Sequence, residues 1–341
     1  MVEKHIMVYC EPGRYGGWPA NHGIWSWGNE ILVGFDVGYH KAQGRWRHAI
    51  DHEKPCADVL ARSLDRGETW AIQEPTAEGF PVPQSEADDC PGNIEFTHPD
   101  FALQIRMLDK DVGPSYFRYS YDRGRTWQGP FRVPQFDTPG IAARTDYLVN
   151  GKRDCMLFVT AAKSDRTEGR PICLRTIDGG KTWALVSWIG PEPKGWAIMP
   201  ASVRLSDSGI LMAVRRREGS RHWLSAYLSQ DNGQTWEHLN DPVANLGRGN
   251  PAALIILARG RLCLTYGVRS KPFRICAKLS RDKGRTWGDE IVLRNDGAST
   301  DLGYTRSAQR PDGKIVTVYY FHDAKTGPER YIAATIWEPG K

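Results

Sequence analysis

One eight-residue pattern, Ser/Thr-x-Asp-x-Gly-x-Thr-Trp, returns five times in this chain: SLDRGETW (Ser63 to Trp70), SYDRGRTW (Ser120 to Trp127), TIDGGKTW (Thr176 to Trp183), SQDNGQTW (Ser229 to Trp236) and SRDKGRTW (Ser280 to Trp287). The central aspartates Asp65, Asp122, Asp178, Asp231 and Asp282 are 57, 56, 53 and 51 residues apart by subtraction of their positions. A fixed period of this length marks a repeat architecture, and it matches one four-stranded antiparallel blade with its turns. Within the box the Asp carboxylate can accept backbone N–H bonds across a tight turn, and the Gly can take positive φ at little steric cost. Thr and Trp then open the next strand, with the indole against a neighbouring sheet. A carboxylate committed to its own turn is poorly placed for chemistry, so the box aspartates read as devices of the fold.

The rest of the chain agrees with short strands joined by turns. Gly (35), Pro (22), Trp (13) and Tyr (13) are plentiful among 341 residues, and no long stretch has apolar residues at helical spacing. After the fifth box, GKIVTVYYF (Gly313 to Phe321) and RYIAATIW (Arg330 to Trp337) are strand-like runs without a box of their own, which makes six blades. HIMVYCE (His5 to Glu11) is expected to complete the last blade and close the ring, removing an open edge. The expectation is an all-β, six-bladed β-propeller with five Asp-box repeats, forming a single domain over residues 1–341.

A formal charge of +5 without a long basic run does not suit a general nucleic-acid surface. The N-terminal stretch MVEKHIMVYCEPGRYGG has no apolar core for a signal peptide, and no segment has the ~18 apolar residues of a membrane helix. A cytoplasmic location away from membranes is expected. The seven cysteines, Cys10, Cys56, Cys90, Cys155, Cys173, Cys263 and Cys276, include no C-x-x-C pair, and read as buried free thiols. The histidines lack metal-ligand spacing, so neither a metal nor another cofactor is expected.

If each box joins the third and fourth strands of its blade, the opposite face carries the starts of first strands and the loops between second and third. That register gathers His22, Asp36, Tyr39, His40, Asp51 and His52 from blade one, whose loop from Gly38 to Pro55 is long and polar. It adds Asn93 and Arg106 from blade two, and Arg144, Thr145, Asp146 and Lys163 from blade three. Blade four contributes Arg215, Arg216, Arg217, Arg221 and His222; blade five Asn250, Tyr266 and Arg269; blade six Tyr304, Arg306, His322 and Asp323. A polar ring with aromatics suits a sugar or anion at a propeller axis.

Five such boxes at blade spacing resemble the sialidase superfamily, also called BNR or Asp-box proteins, over essentially the whole chain. The segment DLGYTRSAQRPDGKIVTVYYFHD and the ending YIAATIW look like bacterial sialidase-like proteins. The resemblance implies a Tyr nucleophile supported by a Glu, an Asp acid/base, and three arginines clamping a carboxylate. A phenol suits attack on an anionic sugar because it carries no charge of its own to repel. Tyr304 matches the nucleophile, Asp51 the acid/base and Arg215 the central arginine. Elsewhere the match fails: Gly17-Trp18-Pro19 stands in place of Arg-Ile-Pro, Lys278 or a displaced Arg274 in place of the last arginine, and Met199-Pro200 where the glutamate belongs.

Three functions remain in view. The first is an exo-acting, sialidase-like glycoside hydrolase on an anionic or deoxy sugar, other than a standard sialic-acid hydrolase. In it Asp51 and Tyr304 are catalytic, Arg144, Arg215, Arg216 or Arg306 holds a uronate, sulfate or phosphate, His22, His40 and Lys278 line the substrate, and Asp146 or Asp323 replaces the missing base. The second is a polysaccharide lyase acting on uronic acids, with His22, His40 or Tyr304 abstracting the proton. The third is a carbohydrate- or protein-binding propeller without catalysis.

Overall fold

In the computed structural model, which describes residues 1–44, 46–73 and 87–340, each box is a hydrogen-bonded turn. In the first, Asp65 Oδ1 accepts from Thr69 N at 2.9 Å and from Ser63 Oγ at 2.8 Å, and Oδ2 accepts from Thr69 Oγ1 at 2.6 Å. Ser63 Oγ in turn accepts Gly67 N at 2.7 Å, and Trp70 Nε1 donates to Gly67 O at 3.0 Å. The residue after the aspartate is left-handed in all five boxes: Arg66, Arg123, Gly179, Asn232 and Lys283 have φ between 59° and 74°. The box glycine follows at positive φ and also marks a close approach. A Cβ on Gly67 would meet Val316 Cγ2 of blade six at 3.0 Å, and one on Gly233 would meet Met156 Cε of blade three at 2.7 Å.

These bonds favour the ionised carboxylates. Burial opposes that charge, but the Thr and Ser hydroxyls and backbone N–H groups outweigh it, and Asp231 is pulled down to about 2. Asp282, where the Thr286 bonds are the leading cause, also lies at about 2. A carboxyl whose folded pKa is depressed contributes stability above its unfolded value of about 3.9 and loses it as pH falls through the folded value. The melting temperature is therefore expected to fall as pH drops from about 4 to 2, less steeply in an Asp231→Asn/Asp282→Asn variant; differential scanning calorimetry checks this.

Among the described residues, twenty-five strands alternate with these turns, in chain order β1 (Val2–Tyr9), β2 (Arg14–Gly17), β3 (Ile24–Trp27), β4 (Glu30–Tyr39), β5 (Ala57–Ser63), β6 (Ala71–Gln73), β7 (Ala102–Met107) and β8 (Ser115–Ser120). Then come β9 (Gln128–Arg132), β10 (Ile141–Ala142), β11 (Tyr147–Gly151), β12 (Asp154–Ala161), β13 (Arg170–Thr176), β14 (Ala184–Trp188), β15 (Trp196–Arg204), β16 (Ile210–Glu218) and β17 (Arg221–Ser229). The last are β18 (Glu237–Val243), β19 (Ala252–Ile256), β20 (Leu262–Val268), β21 (Phe273–Ser280), β22 (Ile291–Gly297), β23 (Gly303–Gln309), β24 (Ile315–Phe321) and β25 (Tyr331–Trp337). They form six antiparallel sheets, the six blades of a β-propeller.

The chain falls into two compact units, residues 1–75 with 243–341 and residues 76–242. The first unit contains blade one (β2 and β3 on β4, then β5 and β6), blade five (β19 to β22) and blade six. Blade six has the order β1-β25-β24-β23, so the N-terminal strand does complete it, with His5 opposite Thr335 and Ile6 opposite Ala334. The second unit contains blade two (β7 to β9, three strands among the described residues), blade three (β10 and β11 on β12, then β13 and β14) and blade four (β15 to β18). In blades one, three, four and five the box lies between the third and fourth strands, as its sequence position predicts, and in blade two it lies between β8 and β9, the last two described strands.

Central strands of a blade are covered on both faces, so they read as continuous apolar runs rather than alternating ones. All seven residues of β24 and all seven of β25 are buried. Cys155, Cys173, Cys263 and Cys276 lie on such strands and Cys90 is buried before β7, whereas Cys10 and Cys56 are exposed, a departure from the expectation that all seven are buried. Both sit outside the blade cores, Cys10 just after β1 and Cys56 just before β5.

Candidate functional site

The first strands of blades one, three, four and six are interrupted. In blade six, Gly303 pairs with Tyr320 and Arg306 with Val318, which leaves Tyr304 and Thr305 in a bulge. Tyr304 has φ +53°, a conformation in which a non-glycine residue needs support from its surroundings. Asn250, fully buried, supplies it: Oδ1 accepts Tyr304 N at 2.7 Å and Nδ2 donates to Leu302 O at 2.9 Å. A Cβ on Gly303 would lie 2.3 Å from Asn250 Oδ1, so this glycine lets the clamp close. Blade one has a matching interruption between β2 and β3, where Trp18 has φ +54° before a short 3-10 turn, Pro19–Asn21.

Around Tyr304 the first unit assembles a connected polar group. The Arg269 guanidinium stands 5.5 Å from the Tyr304 ring centre, donates to Tyr320 Oη at 2.5 Å and, through Nε, to Leu302 O at 3.1 Å. Burial disfavours its charge, but the Tyr320 and Tyr304 rings and the Asp301 carboxylate keep it firmly cationic. Tyr320 donates onward to Asp301 Oδ1 at 2.9 Å, and burial raises its phenol well above the ordinary value, so it stays a neutral donor. Asp301 also accepts from Ala49 N at 2.8 Å and Arg330 Nε at 3.0 Å. Burial alone would raise its carboxyl; His48 and Arg330 hold it well below the usual carboxylate range instead.

His48 is the remaining partner. Its Nδ1 lies 2.6 Å from Asp301 Oδ1 and 3.3 Å from the Trp18 indole nitrogen. A ring nitrogen cannot donate to one and accept from the other, and the shorter, charge-assisted bond fixes Nδ1–H on Asp301. Nε2 is thereby the nitrogen that takes or gives a proton. The imidazole meets the Tyr304 ring edge-on with centres 6.3 Å apart, and its side chain is 31 % exposed. A tyrosine, an arginine and a carboxylate-oriented histidine, half open to solvent, can move protons at a bound molecule.

Asp51, three residues beyond His48 on the 40–56 loop, accepts Lys41 Nζ at 3.1 Å and Glu53 N at 3.3 Å. Desolvation pushes its carboxyl up, but Lys41 and the Glu53 N–H pull it down further, so it is ionised in the free protein. His40 sits at the mouth of the same loop in a bridge to Ile50. Arg306 donates to Ala20 O at 2.8 Å and His22 O at 2.5 Å, fastening the turn that carries Trp18. His22 is fully buried with Nε2 3.1 Å from Asp36 Oδ2. With Asp58 these two offer donor atoms within 4.8 Å of one another, a buried set that could hold a metal ion. Asp323 accepts from Arg294 at 2.9 Å, from Tyr331 and from the Lys325 and Thr326 N–H groups, which hold it ionised as a structural anchor.

Lys278 lies on β21 opposite Leu264, two residues before the fifth box, whereas Arg269 follows β20 at its far end. Arg274 pairs with Val268 and is bound to Glu290 at 2.8 Å. The arginine against the Tyr304 ring is Arg269, neither Lys278 nor Arg274, the two positions expected to stand in for the last arginine. The register gathered it into the polar ring, but strand spacing alone did not single it out.

The second unit has its own interruptions. Arg144 and Asp146 lie between β10 and β11; Arg144 NH2 is 3.8 Å from Glu168, and Asp146 Oδ1 accepts Ser202 N at 3.2 Å and Ser202 Oγ at 3.1 Å. In blade four Met199 has φ +54° in the bulge of β15, and Arg215 donates to its sulfur at 3.7 Å while stacking 4.8 Å from the Trp196 ring. Arg216 donates to Tyr227 Oη at 2.6 Å.

Six antiparallel sheets, the last completed by the first strand, make the β-propeller fold of the sialidase superfamily, and known structures are similar over nearly the whole chain. A Dyadobacter fermentans protein of unknown function is similar with TM-score 0.75 and 20% identity, covering 98% of each chain. The Penicillium chrysogenum α-L-arabinanase is similar at 0.64 and 12%, covering 99% of this chain and 98% of that one. The NanB sialidase of Streptococcus pneumoniae is similar at 0.63 and 12%, covering 98% and 70%. Residues 101–317 match the BNR repeat-like domain, and the chain belongs to that family. No curated protein matches it in sequence.

Proposed function

We propose that this protein is an exo-acting glycoside hydrolase with its reaction centre at Tyr304. The observation that carries the reading is a tyrosine fixed in a left-handed bulge among Arg269, Tyr320 and the Asp301-oriented His48. The arabinanase and sialidase among the similar structures support a sugar as its ligand. In this mechanism the Tyr304 phenol attacks the anomeric carbon while His48 Nε2 takes its proton. The Lys41–Asp51 pair gives a proton to the departing oxygen, and the pair's deprotonated form then draws one from the water that releases the sugar. His48 returns its proton to Tyr304. Gly17, at the place of a clamp arginine, and Met199-Pro200, at the place of the glutamate, favour a substrate other than sialic acid.

A second reading is favoured by the Asp301–His48 pair itself, which has the form of a base for α-proton abstraction from a uronate, with Tyr304 protonating the leaving oxygen. A panel of aryl α- and β-glycosides of uronic, deoxy and sialic sugars, with Asp51→Asn in parallel, tests the first reading. Release of the aryl alcohol from one sugar, reduced at least tenfold in the variant, is the expected result. Silence across the panel, together with growth of an unsaturated-product absorbance on uronate polymers, would replace hydrolysis by elimination.

A further inference from the structure

Asp301 has a second face. Beside it lies a cavity of about 330 Å³ lined by Arg47, Lys271, Arg330, Gln43, Ser299 and Thr300, among others, all of the first unit. The negative charge in its wall is already answered: Asp301 receives bonds from His48, Ala49 N, Tyr320 and Arg330. Arg330 spends Nε on Asp301 and NH1 on Pro328 O. Arg47 and Lys271, by contrast, are exposed and have no carboxylate within 4.0 Å among the described residues. Arg47 lies on the 40–56 loop next to His48, and Lys271 two residues beyond Arg269. Two uncompensated cations thus converge from the two segments that also build the Tyr304 group, in a cavity whose volume falls within the small-ligand range.

We propose that this cavity is an anion subsite that takes the sulfate ester or carboxylate of an acidic sugar, carried on the unit next to the one at Tyr304. The sugar part of this inference rests on the proposed function; the oxyanion part rests on the cavity alone. An arginine fork, an ammonium and the Ser299 and Gln43 side chains match both a tetrahedral and a planar oxyanion. Shared use of Asp301 places the bound anion one residue from the proton-handling histidine, so an acidic substituent would select the substrate as well as hold it.

Calorimetric titration with sodium sulfate, sodium glucuronate and methyl glucoside at constant ionic strength tests it. Sulfate or glucuronate is expected to bind the wild-type protein, methyl glucoside at least tenfold more weakly, and the tighter anion identifies ester or carboxylate. Arg47→Ala/Lys271→Ala should weaken anion binding at least tenfold with an unchanged melting temperature, since both side chains are exposed. Absence of anion binding by the wild type, or equal affinity in a folded double variant, overturns the proposal. Anion binding lost in the variant, without turnover of any glycoside by the wild type, would leave the subsite standing and remove the hydrolase.

Discussion

Tyr304→Phe is expected to lower kcat by ~10³-fold or more on whichever glycoside the protein turns over, while leaving its melting temperature within a degree or two of wild type. The change removes one oxygen and keeps the ring against Arg269, His48 and Tyr320, so the packing that fixes the bulge is preserved. A loss of that size is what covalent or proton-transfer chemistry at the phenol requires. Steady-state kinetics with calorimetry separates the possibilities. Unchanged kcat in a folded Phe variant would remove Tyr304 from the chemistry and leave it a packed aromatic.

The second large effect belongs to Asp301. An asparagine there presents an amide N–H₂ to groups that are themselves donors, namely His48, Ala49 N, Tyr320 and Arg330. Breaking a buried ion pair by removing one partner costs about 3–5 kcal/mol, and misorienting a catalytic histidine costs ~10²–10⁴ in rate. Asp301→Asn should therefore show both a lower melting temperature and lower kcat. The sign with pH follows from the depressed carboxyl. The wild type draws stability from Asp301 at all pH values above its unfolded pKa of about 3.9, and loses it in more acidic solution, so the gap to the variant narrows there. Wild-type stability with unaltered pH dependence in the variant would show that the carboxylate orients nothing. Arg330→Met, which removes a donor from the same carboxylate without touching His48, separates general loosening from loss of the histidine's orientation.

The architecture was legible because each box carries its geometry within eight residues: a hydroxyl, a carboxylate and a glycine satisfy the turn by themselves. The period then counted blades, and the unboxed runs near the end supplied the sixth. Tyr304 was legible because it opens a first strand in DLGYTR. Its partners were less so. Asp301 stands three residues earlier in that segment, but its bond to His48 spans 253 residues of sequence, and nothing in the polar 40–56 loop distinguishes His48 from His40 or His52. Arg306, expected at the substrate, donates to the backbone of the turn after Trp18, a contact across 284 and 286 residues of sequence that spacing within β23 does not reveal. Lys278 shows the same limit: counting from a box gives position along a strand but no knowledge of which end of the next hairpin reaches the centre.

The pairing of β1 with β25 sets an order of assembly. His5 and Thr335 are joined by a side-chain hydrogen bond across 330 residues, so the sixth blade cannot be sealed until the last strand has been synthesised. Until then β1 has no partner strand, and β23, which holds Tyr304, belongs to an unfinished sheet. Contacts of such separation are slow to form and leave edges open to other chains meanwhile. The setting of Tyr304 is thus tied to the arrival of β25: a nascent or clipped molecule without that strand would carry five recognisable turns, yet lack the complete sheet that gives its tyrosine a fixed address.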